Sequence, residues 1–155
     1  MPRAHVMEQS RAIPIDVDTA FARTLPMSPV TIFQRYGPIR GIKAIRDQTG
    51  DWTTVGRTRT VVLSVGSTHE ELTVVDAPNV FRYRLSRLTG PLGPLLDHVD
   101  GEFLFTPIGT GTNVTWRWTV HLKSTAADLA MPPFATLWRG FARQGLERLS
   151  AELLR

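Results

Sequence analysis

The segment NVTWRWTVHLK, residues 113–123, alternates large apolar and polar side chains from Val114 onward. Alternation with a period of two predicts a β-strand that buries one of its faces. The apolar positions are Val114, Trp116, Trp118, Val120 and Leu122. Two tryptophans on one strand are therefore directed into the same interior, where they either fill a core or wall a ligand pocket.

Six further segments have strand character, each bounded by Gly, Pro or Asn: residues 5–15, Ile39–Gln48, Thr58–Val65, Thr68–Val75, Val80–Leu88 and His98–Thr106. Asp16 is placed to cap a short helix that ends before Pro26, and a second short helical piece covers Val30–Arg35. A long amphipathic helix over Pro133–Leu154 follows the last strand. This order predicts an α+β fold in which one twisted antiparallel sheet wraps the C-terminal helix.

Matching apolar residues across the turns predicts which side chains share the inner face of the sheet. A turn at Gly109–Thr112 places Phe103 opposite Trp118 and Phe105 opposite Trp116. The outer face of these strands then carries Asp100, Glu102, Arg117 and His121. A slip of one residue would set aromatic rings against charges, so the apolar match selects these faces.

The two preceding turns extend the inner face. The predicted inner pairs are Leu72 with Tyr83, Val74 with Phe81, Leu63 with Glu70, and Val61 with Leu72, while Glu71 faces Arg84 outside. The inner face is thus apolar apart from a few polar residues. Arg59 and Glu70 lie on neighbouring strands and are candidates for an internal pair, with Tyr83 on the next strand.

Composition excludes several classes of protein. The chain has 155 residues, a net charge of +4 and no cysteine, which removes disulfide scaffolds and thiolate chemistry. The arginines are spread along the chain, so no nucleic-acid partner is expected. No segment resembles a signal peptide or a membrane span, so we expect a cytoplasmic protein without integral membrane association. No metal site and no cofactor are expected, because the polar cluster of His98, Asp100, Glu102 and His121 belongs to the outer face.

The order of elements, and the stretches AIPIDVDTAF, GDWTTVGRTRTVVL, HEELTVVDAPNVFRYRL and FTPIGTGTNVTWRW, resemble the START/Bet v 1-like superfamily, particularly its bacterial polyketide cyclase/dehydrase-like members. The resemblance implies a single helix-grip domain over residues 1–155. In this fold a seven-stranded antiparallel sheet wraps a long C-terminal helix, and two short helices follow the first strand. It also implies a deep cavity between sheet and helix that holds an apolar ligand. RYGPIRG, residues 35–41, departs from the many relatives that carry a tryptophan there.

The candidate ligand-binding residues are Arg59, Glu70, Leu72, Tyr83, Phe103, Phe105, Trp116, Trp118, Trp138 and Phe141. Gly145 lies on the apolar stripe of the last helix, where a missing side chain leaves room for a pocket. The segment GPLGPLLD, residues 90–97, is predicted to be a mobile loop that forms a lid over the cavity. Arg59, Glu70 and Tyr83 could orient a carbonyl or carboxylate or move a proton; alternatively they form a purely structural ion pair and hydrogen bond.

The sequence predicts binding of a hydrophobic small molecule, such as a lipid, a polyketide or an aromatic compound. Two alternatives stay open at this point. One is a polyketide cyclase or dehydratase-type enzyme, and the other is a regulatory or stress-related interaction protein with a vestigial cavity. A homodimer is an open alternative to a monomer.

Overall fold

The computed structural model describes residues 4–155. The strands in that range are β1 (Ala4–Ile13), β2 (Ile42–Arg46), β3 (Thr58–Leu63), β4 (Gly66–Asp76), β5 (Val80–Ser86), β6 (Leu96–Ile108) and β7 (Gly111–Leu122). They form one seven-stranded sheet in the order β1-β7-β6-β5-β4-β3-β2, and every neighbouring pair is antiparallel. The predicted curled antiparallel sheet is confirmed.

Two short helices, α1 (Val17–Thr24) and α2 (Pro29–Ile32), follow β1 as predicted. The carboxylate of Asp16 accepts a hydrogen bond from the backbone N–H of Thr19 at 3.0 Å, so Asp16 is the N-cap of α1. A 3₁₀ turn (Ala126–Ala130) leads directly into the long helix α3 (Met131–Leu153). The sequence did not predict this turn, and α3 begins two residues earlier than expected.

Helix α3 has two functionally different halves. Its second half contributes the fully buried Leu146, Leu149 and Leu153 to the core, which also contains Met7 of β1 and Phe21 of α1. The guanidinium of Arg23 donates to the carbonyl groups of Leu153 and Glu152, so α1 satisfies the C-terminal end of α3. The first half of α3 instead borders a cavity.

The predicted faces of β6 and β7 are correct, but their pairing is displaced by two residues. Phe103 pairs with Trp116, and Phe105 pairs with Val114, rather than with Trp118 and Trp116 respectively. The displacement arises because the hairpin turns over two residues between Ile108 and Gly111, whereas the sequence suggested a four-residue turn. A shift of two residues changes the partners and preserves the faces.

The two hairpins before it show two correct pairs and two further corrections. Leu72 pairs with Tyr83 as predicted, as does Glu71 with Arg84, but a bulge after Leu72 sets Val75 rather than Val74 opposite Phe81. Between β3 and β4 the turn lies at residues 64 and 65, two residues earlier than expected. The observed pairs there are therefore Arg59 with Glu70, Val61 with Thr68 and Leu63 with Gly66.

Candidate functional site

A cavity of about 360 Å³ lies between the inner face of the sheet and the first half of α3. Strands β3 to β7 form one wall, with Val61, Leu63, Thr68, Glu70, Phe81, Tyr83, Leu85, Phe103, Trp116 and Trp118. Helix α3 forms the other wall with Phe134, Leu137, Trp138 and Phe141. Exposed lining residues mark where the cavity opens to solvent, and we call this opening the mouth: Pro38, Arg40, Val65, Thr89 and Pro91.

Tyr83 lies across the sheet and contacts three strands. It pairs with Gly101 on β6, and Gly101 pairs with Trp118 on β7, so the three residues form one row. A Cβ atom at position 101 would lie only 2.2 Å from Cζ of Tyr83, which means that the ring rests directly on the glycine backbone. The tyrosine hydroxyl thereby reaches β7, where it accepts hydrogen bonds from Nε1 of Trp116 at 2.7 Å and of Trp118 at 3.1 Å.

This arrangement keeps the phenol protonated. Burial raises the pKa of Tyr83 well above its ordinary value, the negative charge of Glu70 raises it further, and the two indole hydrogen bonds oppose the shift only in part. Burial thus favours the neutral hydroxyl over the phenolate in the cavity wall. Such a group can donate a hydrogen bond but does not act as a phenolate nucleophile or base.

Arg59 and Glu70 form a buried ion pair at the edge of the cavity. Nε of Arg59 donates to Oε1 of Glu70 at 2.7 Å, and both residues are 5% exposed. The guanidinium carbon of Arg59 also lies 3.7 Å from the ring centroid of Trp52, which covers the charge from the other side. Burial raises the pKa of Glu70, while the positive charge of Arg59 and its hydrogen bond pull the pKa back down.

The structure brings most of the predicted site residues to one cavity. The lining includes Glu70, Tyr83, Phe103, Trp116, Trp118, Trp138 and Phe141. Arg59, Leu72 and Phe105 are buried but do not line it. Arg59 lies behind Glu70 in the ion pair, and the ring of Phe105 packs against Phe21 with 5.2 Å between centroids. Arg59 thus contacts the cavity wall through Glu70, while Leu72 and Phe105 belong to the buried core.

The room expected at Gly145 is occupied by a residue that the sequence did not indicate. A Cβ atom at Gly145 would lie 2.9 Å from the ring of Phe33, which follows α2. Phe33 also packs on Trp116, with 4.5 Å between ring centroids, and on Phe141 at 5.8 Å. The glycine therefore admits Phe33 as part of the cavity wall, and the prediction that it leaves empty space is wrong.

The segment 90–97 borders the mouth through Pro91 and Leu92, and β6 already begins at Leu96. Its start is packed backbone to backbone against the β3–β4 turn. A Cβ atom at Gly90 would lie 2.0 Å from the carbonyl oxygen of Val65, and the φ of Gly90 is +87°. Thr89 also donates its backbone N–H to the carbonyl of Ser67 at 2.9 Å. The segment is thus fastened at one end, and its role as a lid stays a prediction.

Sequence reasoning missed three residues that shape the site: Trp52, Phe33 and Gly101. A glycine inside a strand often marks the close approach of another group, and this signal could have identified Gly101. The other two lie in segments without regular periodicity, so no pattern in the sequence placed them beside the cavity.

On the outer face, His98, Asp100 and His121 bring ligand atoms within 4.8 Å of one another. The two imidazole rings are stacked, with 4.0 Å between centroids and an interplanar angle of 14°. Their Nε2 atoms both lie near Oδ2 of Asp100, at 3.7 Å for His98 and 3.1 Å for His121. Nε of Arg84 moreover donates to Asp100 at 2.9 Å. The three side chains thus belong to a polar cluster in which Asp100 is paired with Arg84.

An antiparallel sheet curled around a long helix, with an apolar cavity between them, defines a helix-grip protein of the START/Bet v 1-like superfamily. Residues 4–154 match the family described as "Polyketide cyclase / dehydrase and lipid transport", and the chain belongs to that family. No curated protein matches the sequence significantly.

Several solved structures share the fold at low sequence identity. Major latex-like protein 151 from Panax ginseng is 15% identical, with a TM-score of 0.72 over 98% of this chain and 99% of that one. Norcoclaurine synthase from Thalictrum flavum, solved with dopamine and hydroxybenzaldehyde, is 15% identical, with a TM-score of 0.70 over 99% and 88%. Ara h 8.0201 is 15% identical, with a TM-score of 0.68 over 98% and 99%. At these identities the likeness concerns the fold alone.

Among the helices of residues 4–155, none combines the length and the apolar character that crossing a bilayer requires.

Proposed function

We propose that this protein binds a hydrophobic small molecule in the cavity between the sheet and α3, such as a flat aromatic, polyketide or lipid-like compound. The observation that carries the proposal is the wall itself, in which three tryptophans and several phenylalanines surround a space with very few polar groups. Ligand sites of proteins have this character and volumes of about 300–1,000 Å³, a range that includes the present cavity. The cytoplasm is the compartment we propose for it.

A second candidate function is that of a cyclase or dehydratase acting on a polyketide-like substrate. The observation in its favour is Glu70, a cavity-lining carboxyl whose pKa is raised by burial, as expected of a general acid or base at neutral pH. The ion pair of Glu70 with Arg59 favours a structural role for this carboxyl instead. A Glu70→Gln variant that binds a β-polyketone as the wild type does, but no longer converts it, would favour the enzyme.

Ligand binding can be tested with N-phenyl-1-naphthylamine, a neutral apolar probe whose emission rises in apolar surroundings. We expect saturable binding to one site, accompanied by quenching of tryptophan emission. Val61 lines the cavity, whereas Val62, the next residue of β3, points to the opposite face. Val61→Phe should weaken binding at least about tenfold, or about 1.4 kcal/mol. Val62→Phe is the matched control and should bind as the wild type does.

Two results would overturn the proposal. One is the absence of saturable binding for this probe and for a panel of fatty acids and aromatic compounds. The other is equal binding by the wild type and a folded Val61→Phe variant, because the probe would then occupy some other surface. A vestigial cavity in an interaction protein predicts the first result. Native mass spectrometry of the protein from its own host identifies any ligand that copurifies and separates a monomer from a homodimer.

A further inference from the structure

Within residues 4–155, three buried side-chain polar atoms have no hydrogen-bond partner: Oγ1 of Thr24, Nε of Arg57 and Nε1 of Trp138. Thr24 and Trp138 line the cavity, and each is at most 4% exposed. A buried donor without an acceptor is destabilising, which makes such atoms uncommon in folded proteins. The Thr24 and Trp138 atoms each have less than 1 Å² of accessible surface, so they lie within the wall and are not presented to a molecule in the cavity.

The hydroxyl of Tyr83 differs from these atoms, because it accepts two hydrogen bonds and belongs to a ring that lines the cavity. A phenol oxygen has two lone pairs and one hydrogen. Both lone pairs are engaged by the indole N–H groups of Trp116 and Trp118. No acceptor for the hydroxyl hydrogen lies within hydrogen-bond distance among the described residues, and the ring faces the cavity. The two tryptophans therefore fix Tyr83 in one role, that of a donor directed at whatever occupies the cavity.

Few hydrogen-bond acceptors line the cavity to pair with the Tyr83 hydroxyl. The carboxylate of Glu70 is the one ionisable acceptor among the described lining side chains, and it is already bonded to Arg59. Thr68, another polar lining residue, donates its hydroxyl to the carbonyl of Ser86 at 2.8 Å. The wall thus presents an unpaired hydrogen-bond donor, while the carboxylate of Glu70 is already paired with Arg59. Its complement is a ligand that accepts hydrogen bonds.

We propose that Tyr83 selects, among apolar ligands, those with a carbonyl-type oxygen, and that the hydroxyl donates to this oxygen. The inference rests on the proposed binding function and adds the functional group that the ligand carries. Because Tyr83 is held by two hydrogen bonds and by Gly101, its hydroxyl is preorganised for this contact.

The test compares 2-acetylnaphthalene with 2-ethylnaphthalene, which have nearly the same shape and differ in the carbonyl oxygen. Binding of both is measured by tryptophan quenching in the wild type and in Tyr83→Phe. We expect the wild type to prefer the ketone by roughly three- to tenfold, the worth of one neutral hydrogen bond. This ratio should fall toward one in Tyr83→Phe. Tyr36→Phe, at the other tyrosine of the chain and outside the lining, should retain the wild-type ratio.

Proton NMR of the indole N–H groups supplies an independent readout in the wild type. When the Tyr83 hydroxyl donates to a ketone, its oxygen becomes a better acceptor, so the Trp116 and Trp118 N–H signals should move further downfield with the ketone than with the hydrocarbon. If both compounds bind equally well, or the ratio survives in Tyr83→Phe, the inference is overturned while the binding function stands. If neither compound binds, the proposed site for aromatic ligands fails, and this inference fails with it.

Discussion

Gly101 is the residue on which the geometry of the cavity wall most depends, and Gly101→Ala tests that dependence directly. The added Cβ would lie 2.2 Å from Cζ, 2.4 Å from Cε2 and 2.5 Å from the hydroxyl oxygen of Tyr83. Because these distances are far below van der Waals contact, the ring must move by about 1 Å or more. A movement of that size breaks or stretches both hydrogen bonds to the indoles.

The expected cost follows from these losses. Two buried hydrogen bonds contribute about 1 kcal/mol each, and forcing a methyl group into a packed site typically costs about 1–3 kcal/mol. We therefore expect Gly101→Ala to lower the free energy of unfolding by about 3–5 kcal/mol. For a domain of this size that corresponds to a fall in Tm of roughly 6–20 °C. Urea unfolding followed by tryptophan fluorescence measures the change.

The same substitution should have the opposite sign where Tyr83 is absent. In a Tyr83→Ala background the methyl group meets no ring, and alanine is then favoured over glycine inside a strand by about 0.5–1 kcal/mol. The double-mutant cycle should accordingly give a coupling of about 3.5–6 kcal/mol between positions 83 and 101. Equal costs of Gly101→Ala in both backgrounds would refute the account of Tyr83 resting on the glycine.

The remaining predictions concern the ion pair and the helix. Arg59→Met alone or Glu70→Leu alone should lower the free energy of unfolding by about 3–5 kcal/mol at pH 8, because each leaves a buried charge unpaired. The double variant leaves no such charge and should lose less than either single variant. Additive losses in urea unfolding would contradict this. Since the folded-state pKa of Glu70 is raised above 4.5, the stability it confers is fully present below pH 4.5 and is lost as the pH rises through the raised value. The unfolding free energy of the wild type relative to Glu70→Gln should therefore decline over that range, and a rising or flat difference would show that the direction is wrong. Gly145→Leu should lower Tm, because the new side chain must displace Phe33. If the variant keeps the wild-type Tm, the space beside Gly145 is open after all.

The faces of the sheet could be predicted from the sequence because alternation has a period of two. Any even displacement of one strand along another leaves each side chain on its face. The predicted partner lay two residues from the observed one at Phe103 and four residues from it at Glu70. Both side chains still point inward. Register depends instead on where each turn closes, and one turn residue more or less changes it.

The contacts that define the site could not be predicted for the same reason. With the register displaced by two residues, Gly101 faces Val120 instead of Trp118, and the row from Tyr83 to Trp118 disappears. Arg59 opposite Glu70 likewise depends on the β3–β4 turn at residues 64 and 65. Residue types and faces were sufficient for a cavity with polar groups. Only the register shows which groups those polar atoms contact.

The hydrogen bonds of Tyr83 also explain why an interior so rich in aromatic rings retains a cavity. A tyrosine free to rotate would extend toward α3 and fill the space, as hydrophobic burial favours. The two indole hydrogen bonds and the open backbone at Gly101 instead hold the ring flat against the sheet. The ring therefore forms part of the cavity wall and does not occupy the cavity. On the helix side, the ring of Trp138 packs against that of Trp116, with 4.8 Å between centroids and an interplanar angle of 33°. The polar atoms that would select a ligand are thus the same atoms that keep the space open for it.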